Sequence, residues 1–242
     1  MRNDYEERFY RSYCKDTNFH LEVEYKETDL YISCDRYIEK ELVRKIVKEY
    51  YWQIEEYIKK KPLFLRSLSP LQFDEEAPLI VQDMLRASSL AGVGPFSSVA
   101  GAISYHVGKR LLKFCNELII ENGGDIFLKI NEDKRIGLYI GEEVWCNTVV
   151  LKVRRREYPF GICSSSSVIG HSLNFGKAEL VTVISKSTIV ADSFATGFSN
   201  RIRKENDVKT VIREAKKIPL IEGIVVAFGG KIAIWGDVEI CS

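Results

Sequence analysis

The stretch Leu118-Ile-Ile-Glu-Asn-Gly-Gly-Asp-Ile-Phe-Leu128 places an apolar run on each side of two glycines. Asn and Gly tolerate the positive φ angles of tight turns, so the stretch predicts two strands joined at Gly123 and Gly124. The same pattern returns in Ile224-Val-Val-Ala-Phe-Gly-Gly-Lys-Ile-Ala-Ile234. This repeated pattern indicates either an internal duplication or two independent hairpins. Only the first pair of glycines has polar residues on both sides, which favours a role beyond turning.

Upstream of this hairpin, the pattern predicts another hairpin and then helices. Residues 19–25 alternate between apolar and polar, and residues 30–34 resume as a strand after a turn. A long apolar stripe with Asp35 as its N-cap predicts the first helix. The predicted helices upstream are 36–60, 77–90 and 96–114.

Downstream, short apolar runs predict an antiparallel or mixed sheet with two more helices. The predicted strands are 118–121, 126–130, 136–140, 148–153, 180–185, 224–228 and 231–235, and the predicted helices are 188–201 and 208–217. The fold class is therefore α+β, with sheets packed against helices in two layers. We expect one domain over 1–242, in which 1–61 forms a hairpin and long helix and 75–242 carries the motifs.

Charge and composition exclude several classes of protein. Lys+Arg 35 against Asp+Glu 34 gives a net charge of +1, so nothing favours a nucleic-acid partner. No apolar run is long enough to span a bilayer, and the first ten residues are polar rather than signal-like. The six cysteines show no C-x-x-C spacing for zinc or redox chemistry. A cytoplasmic protein is expected.

Two glycine-bearing stretches could meet a ligand. The first runs through Gly94, Ser97 and Ser98 into a predicted helix, where free N–H groups favour an anion. A tight helix–helix turn explains the same glycine equally well. The second comprises Asn122, Gly123, Gly124 and Asp125, which is either an ordinary turn or a turn whose carboxylate faces a cleft.

A third stretch, from Ala191 to Thr196, has the oxygen ligands that Mg²⁺ prefers. Asp192 and Thr196 are four residues apart and lie on the same side of a predicted helix. The alternative is structural: Asp192 would favour the positive end of an exposed helix start, and Thr196 would bond back to a carbonyl.

The fourth stretch is a serine-rich run with a histidine. It contains Ser165, Ser166, Gly170 and His171 and is too long for a hairpin turn. Loops often carry function, and histidine is the common proton shuttle near neutral pH. A flexible connector is the alternative.

In this order, the four stretches resemble the motifs of ApbE-like flavin transferases, in particular an uncharacterised, mostly prokaryotic branch. The resemblance covers roughly residues 87–196. It implies an ApbE-like fold, Mg²⁺ and FAD or FMN as ligands, and transfer of FMN from FAD to a threonine or serine of an acceptor protein. Asp192 and Thr196 would bind the metal, residues 122–125 would line the dinucleotide, and His171 would activate the acceptor hydroxyl. The remaining residues expected at the cofactor are Gly94, Ser97, Ser98, Ser165, Ser166 and Gly170.

The sequence also departs from that family. Where transferases carry His-x-x-Asp-Pro, this chain has Asn174 and Phe175, and its helix entry lacks the usual lysine. The alternative function is a non-catalytic ligand-binding protein, or an accessory protein of sulfur or amino-acid metabolism. The expected partners are a nucleotide-type small molecule and, for a transferase, a protein acceptor. A homo-oligomer is left open by the sequence.

Overall fold

The computed structural model describes residues 19–141, 148–168 and 174–241. Its strands are β1 (Phe19–Tyr25), β2 (Thr28–Cys34), β3 (Leu118–Asn122), β4 (Asp125–Lys129), β5 (Lys134–Tyr139), β6 (Thr148–Val153), β7 (Phe160–Ser165), β8 (Leu180–Ser185), β9 (Ile221–Phe228), β10 (Lys231–Gly236) and β11 (Glu239–Cys241). Its helices are α1 (Lys40–Lys60), α2 (Leu63–Arg66), α3 (Leu79–Ala91), α4 (Val99–Leu111), α5 (Thr188–Arg201) and α6 (Glu205–Ala215), with a 3₁₀ turn at Pro95–Ser98 before α4. The predicted α+β class is confirmed.

Both paired-glycine stretches are tight hairpins. Gly123 and Gly124 have φ of 65° and 98°, and Gly229 and Gly230 have φ of 60° and 71°. These left-handed angles strain residues that carry a Cβ, which explains the glycines in both turns. The register continues smoothly away from each turn, with Asn122 opposite Asp125 in one and Phe228 opposite Lys231 in the other.

The large sheet repeats one arrangement twice. Its eight strands run in the order β1-β2-β3-β4-β7-β8-β9-β10, and every neighbouring pair is antiparallel. Residues 19–129 form a hairpin, helices and a second hairpin; residues 160–236 do the same. The two halves join where β4 pairs with β7. An internal duplication, one of the two explanations for the repeated sequence pattern, would produce this topology.

Helices cover one face of this sheet and a small sheet covers the other, so the elements form three layers rather than the two predicted from the sequence. One apolar core lies between the first half and α1, α3 and α4, and a second lies between the other half and α5 and α6. On the opposite face, strands β11-β6-β5 enclose a third core against the central strands. The helical layer crosses the junction because α5 packs against both α3 and α4.

Several sequence predictions need correction. Asp35 does not cap α1, which begins at Lys40; its carboxylate accepts bonds from the backbone N–H of Asn116 and Glu117 at 2.9 and 3.1 Å. The start of the serine-rich run is strand β7, because its side chains fill the central sheet. No described helix is both long enough and apolar enough to cross a membrane.

Candidate functional site

The candidate site lies at the junction of the two halves, where the start of α4 meets α5. The backbone N–H of Gly101 donates a hydrogen bond to Oδ2 of Asp192 at 2.9 Å. A Cβ at Gly101 would stand 2.8 Å from the Asp192 Cβ and 2.8 Å from the Thr188 carbonyl oxygen. Only glycine permits this approach, so the small residue in the motif fixes the position of the Asp192 carboxylate.

Asp125 brings a second buried carboxylate to the same place. It begins β4 and lies opposite Cys163 of β7, directly across the junction between the halves. Its Oδ1 is buried and has no hydrogen-bond partner among the described residues. A buried polar atom without a partner is costly, so this oxygen calls for an explanation.

The charges of the two carboxylates act on each other. Burial raises the pKa of Asp125 well above its ordinary value, and the neighbouring charge of Asp192 raises it further, against the lowering effect of the Cys163 side chain and the Ser164 backbone. Burial raises the pKa of Asp192 to about 7, against the lowering effect of the Gly101 N–H. Neither carboxylate has an ion-pair partner in residues 19–141, 148–168 and 174–241. A cation between them would lower both pKa values.

Asn122 and the turn beside it complete this side of the site. The Asn122 side-chain amide donates to the Ala100 carbonyl at 3.2 Å, which ties the turn to the start of α4. The N–H of Gly124 donates to Oε1 of Glu121 at 2.9 Å. The structure thus brings Asn122, Asp125 and Asp192 together with the start of α4, although they are far apart in sequence.

Other predicted ligand residues make bonds within the protein. The hydroxyls of Ser97 and Ser98 donate to the Gly94 and Pro95 carbonyls at 2.8 and 3.3 Å. A Cβ at Gly94 would lie 1.8 Å from the Ser67 carbonyl oxygen, so packing alone requires this glycine. These three residues build the turn before α4.

The serine-rich run is anchored by an asparagine that sequence reasoning did not assign to the site. The Asn174 amide donates to the hydroxyl oxygens of Ser165 and Ser199 at 3.2 and 2.6 Å. Ser166 instead donates to the Glu179 carbonyl at 2.6 Å. The predicted residues Gly170 and His171 lie outside the described residues.

The environment of Asp192 differs from the expectation of an exposed helix start. The residue lies in the second turn of α5 and is only 5% exposed. Thr196, one turn further along, is half-buried. Asp192 is therefore a buried carboxylate held by Gly101 rather than a solvent-exposed partner of the helix dipole.

Cys163 is a further residue of the site that the sequence did not reveal. Its thiol donates to the Thr188 carbonyl at 3.3 Å and neighbours Asp125. Burial raises its pKa well above the ordinary value, and the charges of both aspartates add to this effect. The thiol therefore stays protonated and packs as a small buried group. An apolar strand pattern signals its burial but not its acidic neighbours.

The two carboxylates suit a hard cation whose remaining ligands are waters or phosphate oxygens. Asp125 offers an oxygen without a partner, and Asp192 uses one oxygen for Gly101. The described part of the chain has no cluster of three or more His, Cys, Asp or Glu side chains suited to a metal. Mg²⁺ is commonly held by one or two carboxylates, with waters and phosphate oxygens completing its coordination.

A family model described as AbpE bacteria matches residues 11–227. The chain belongs to this family. Its relatives include the UPF0280 proteins of Methanocaldococcus jannaschii, 36% identical over 88% of each chain, and of Methanospirillum hungatei, 34% identical over 89% of this chain and 86% of the relative. The resemblance to an uncharacterised ApbE-like branch is thereby confirmed.

Solved structures share the fold at low sequence identity. The flavin transferase ApbE from Vibrio cholerae matches with a TM-score of 0.58 and 13% identity, over 90% of this chain and 96% of that one. The flavinyl transferase ApbE of Pseudomonas stutzeri, in its apo form, matches with a TM-score of 0.58 and 14% identity, over 90% and 93%. At this identity the likeness establishes the fold alone.

Proposed function

We propose that this family member binds a flavin or another phosphate-bearing nucleotide together with Mg²⁺ at the junction of its two halves. The observation that carries the proposal is the pair of buried carboxylates, Asp125 and Asp192, with Oδ1 of Asp125 lacking a partner. Two like charges in a buried place are unfavourable without a cation or a shared proton. We propose a flavin as the ligand because the structural neighbours are named flavin transferases.

Asp192 and Asp125 would hold the metal, with the Thr196 hydroxyl as a further oxygen. The Gly101 N–H fixes one oxygen of Asp192 and leaves the other to face the cation. When bound, Mg²⁺ offsets the negative charge of phosphate groups. The ligand's phosphates would then lie beside the start of α4, where Asp192 already accepts the Gly101 N–H, so the metal rather than the helix dipole would hold them.

The turn at Gly123 and Gly124 would form the wall of the nucleotide site. Asn122 is committed to the Ala100 carbonyl, so its role is to hold the turn against α4. Gly124 carries no side chain, and a Cβ there would have no neighbour within 4 Å. Open space beside a polar turn allows a ribose or phosphate to approach the backbone.

Transfer of FMN to a protein is the activity that this site would support. In that reaction, a threonine or serine oxygen bonds to the FMN phosphorus while the phosphoanhydride bond to AMP breaks. The hydroxyl proton passes to a base, the role we propose for His171 on the strength of its motif. Asn174, by clamping the end of the serine-rich run to Ser165 and Ser199, would position that segment.

Binding is tested by thermal unfolding of the full chain with FAD, FMN or ATP, each with and without Mg²⁺. A ligand at about 100 times its Kd stabilises the folded state by about 2.7 kcal/mol. We expect Mg²⁺-dependent stabilisation in wild type and its loss in Asp192→Asn. Asp133→Asn is the matched control, because Asp133 directly precedes β5 of the small sheet, on the face opposite α4 and α5, and pairs with Lys152 at 3.7 Å. An unchanged response in Asp192→Asn would contradict the proposal.

Catalysis is tested separately with His171→Ala. If His171 is the base, turnover of FAD should fall by about 10²- to 10⁴-fold while FAD affinity is retained. His20→Ala is the control, because His20 is exposed on β1 and stacks on Tyr31. Binding without turnover in wild type would favour the non-catalytic alternative and leave the ligand site standing.

A further inference from the structure

One edge of the eight-stranded sheet is a mostly apolar strand with which no further described strand pairs. β10 ends the sheet on one side and β1 ends it on the other. β1 carries the exposed charges of Glu22 and Glu24. From Ile232 to Gly236, β10 has no charged residue and no proline. Charges and prolines are the devices that commonly keep an edge strand from pairing with another chain.

The hairpin fixes which backbone groups of β10 face outward. In a two-residue hairpin turn, the flanking residues, here Phe228 and Lys231, form a hydrogen-bonded pair, and the pattern alternates from there. The bond from the Asp237 N–H to the Glu222 carbonyl at 2.9 Å fits this phase. Ile232 and Ile234 therefore direct their N–H and C=O groups away from β9, where no described strand pairs with them.

We propose that this chain forms a two-fold symmetric dimer by antiparallel pairing of β10 with β10 of a second copy, centred on Ala233. The regular part of the strand runs from Lys231 to Trp235, because Gly230 and Gly236 bend the chain at φ of 71° and 93°. A two-fold axis at Ala233 pairs Ile232 with the partner's Ile234 and the reverse. That register uses the outward N–H and C=O groups of both isoleucines in both copies.

The side chains are complementary in the same register. Ile234 is 44% exposed and would cover the partner's Ile232. Lys231, whose side chain is 72% exposed and pairs with the exposed Glu205 at 2.9 Å, would lie across from the partner's Trp235 ring, within reach of a cation–π contact. Pairing β10 with β1 of another copy would instead place apolar side chains beside Glu22 and Glu24. Such pairing is heterologous and would continue into an open filament rather than a closed dimer.

The register is tested by disulfide formation in the full chain. In the proposed dimer, residue 233 faces its own copy in a non-hydrogen-bonded pair, at a Cα separation of about 4.5 Å that a disulfide accepts. Ala233→Cys should therefore form a covalent dimer on mild oxidation, whereas Ile234→Cys and wild type should not. Crosslinking of Ile234→Cys but not Ala233→Cys would overturn this register.

The interface itself is tested by sedimentation equilibrium. Ile234→Pro removes an outward N–H at an edge position that tolerates proline, and should raise the dimer Kd at least about tenfold. Ile234→Lys should do the same while leaving the backbone intact. Leu220→Lys changes a similarly exposed side chain, 43%, away from the edge and should leave the dimer unchanged. A monomeric wild type, a concentration-dependent filament, or a dimer unaffected by both Ile234 variants would overturn the proposal.

Discussion

At the residue scale, the site is defined by the carboxylates of Asp125 and Asp192. Strongly perturbed pKa values that combine burial with a specific charged neighbour concentrate at functional sites. A purely structural aspartate would have its oxygens satisfied, as Asp35 does with two backbone N–H groups. Oδ1 of Asp125 has no such partner. A metal ion or ligand bound to this oxygen would offset the free-energy cost of burying it without a partner.

The first prediction concerns pH and Mg²⁺. The pKa of Asp192 is raised from 3.8 to about 7 in the folded state, so the folded protein retains a proton that the unfolded chain loses as pH rises. This contribution to stability is fully present below about pH 4 and is lost as pH rises through about 7. Without metal, we expect the urea midpoint to fall between about pH 5 and pH 8, and saturating Mg²⁺ to reduce the fall.

Asp192→Asn provides the comparison for this prediction. The variant cannot titrate at position 192, so its metal-free midpoint should depend less on pH than that of wild type. It should also be at least as stable as wild type at about pH 8 without Mg²⁺, since a buried charge has been removed. Identical pH dependence in both proteins would show that the Asp192 carboxyl does not titrate in this range.

The second prediction concerns Gly101. Adding a Cβ would bring it to 2.8 Å from both the Asp192 Cβ and the Thr188 carbonyl oxygen. Gly101→Ala should therefore destabilise the protein by about 1–3 kcal/mol and weaken any Mg²⁺-dependent ligand response. In Gly137→Ala, the control, the added Cβ has its closest contact at 3.4 Å, with Thr148, and stability should change little. Equal effects in the two variants would contradict the packing argument.

At the scale of elements, an arginine ties the segment before β7 to β9. The side chain of Arg156 is only 7% exposed and lies over the Phe160 ring. Its guanidinium group forms ion pairs with Glu222 at 2.6 Å and Asp237 at 3.2 Å. Its neighbour Arg155 is 63% exposed, and its one ion pair among the described residues is with the exposed Glu157 at 3.5 Å. Two adjacent arginines of the same charge thus have very different surroundings.

The third prediction follows from this contrast. Arg156→Ala should lower the free energy of unfolding by about 3–5 kcal/mol, because it leaves the half-buried Glu222 without its cation. Arg155→Ala should change it by less than about 1 kcal/mol. Chemical denaturation of both variants measures the difference. Similar losses would indicate that net positive charge matters here rather than burial of the pair.

At the scale of the whole molecule, the two halves share one sheet and one helical layer. β4 pairs with β7 across the junction, and α5 packs on α3 and α4 of the other half. We therefore predict that the halves unfold together. Native-state hydrogen exchange should give Ile120 of β3 and Val183 of β8 the same opening free energy. Two distinct values would show that one half opens independently.

The sequence by itself determined the α+β class and most of the elements, but it missed the central strand β7 and the short strand β11. Alternating apolar residues, paired glycines and long apolar stripes are local signals, so the hairpin around Gly123 and the helix that ends at Lys60 could be predicted from neighbouring residues alone. Helix starts were less well determined, because Asp35 bonds to residues that lie 81 and 82 positions later in the chain. The ordered motifs also indicated the family.

Only the tertiary structure decided how the motifs meet. The contact of Gly101 with Asp192 spans 91 positions, and the register of β4 against β7 places Cys163 beside Asp125. The burial and pKa values of Asp125 and Asp192, and the lack of a partner for Asp125 Oδ1, depend on which other elements pack around these side chains. No local pattern encodes them, because the electrostatic cost of a carboxylate is set by neighbours in space rather than in sequence.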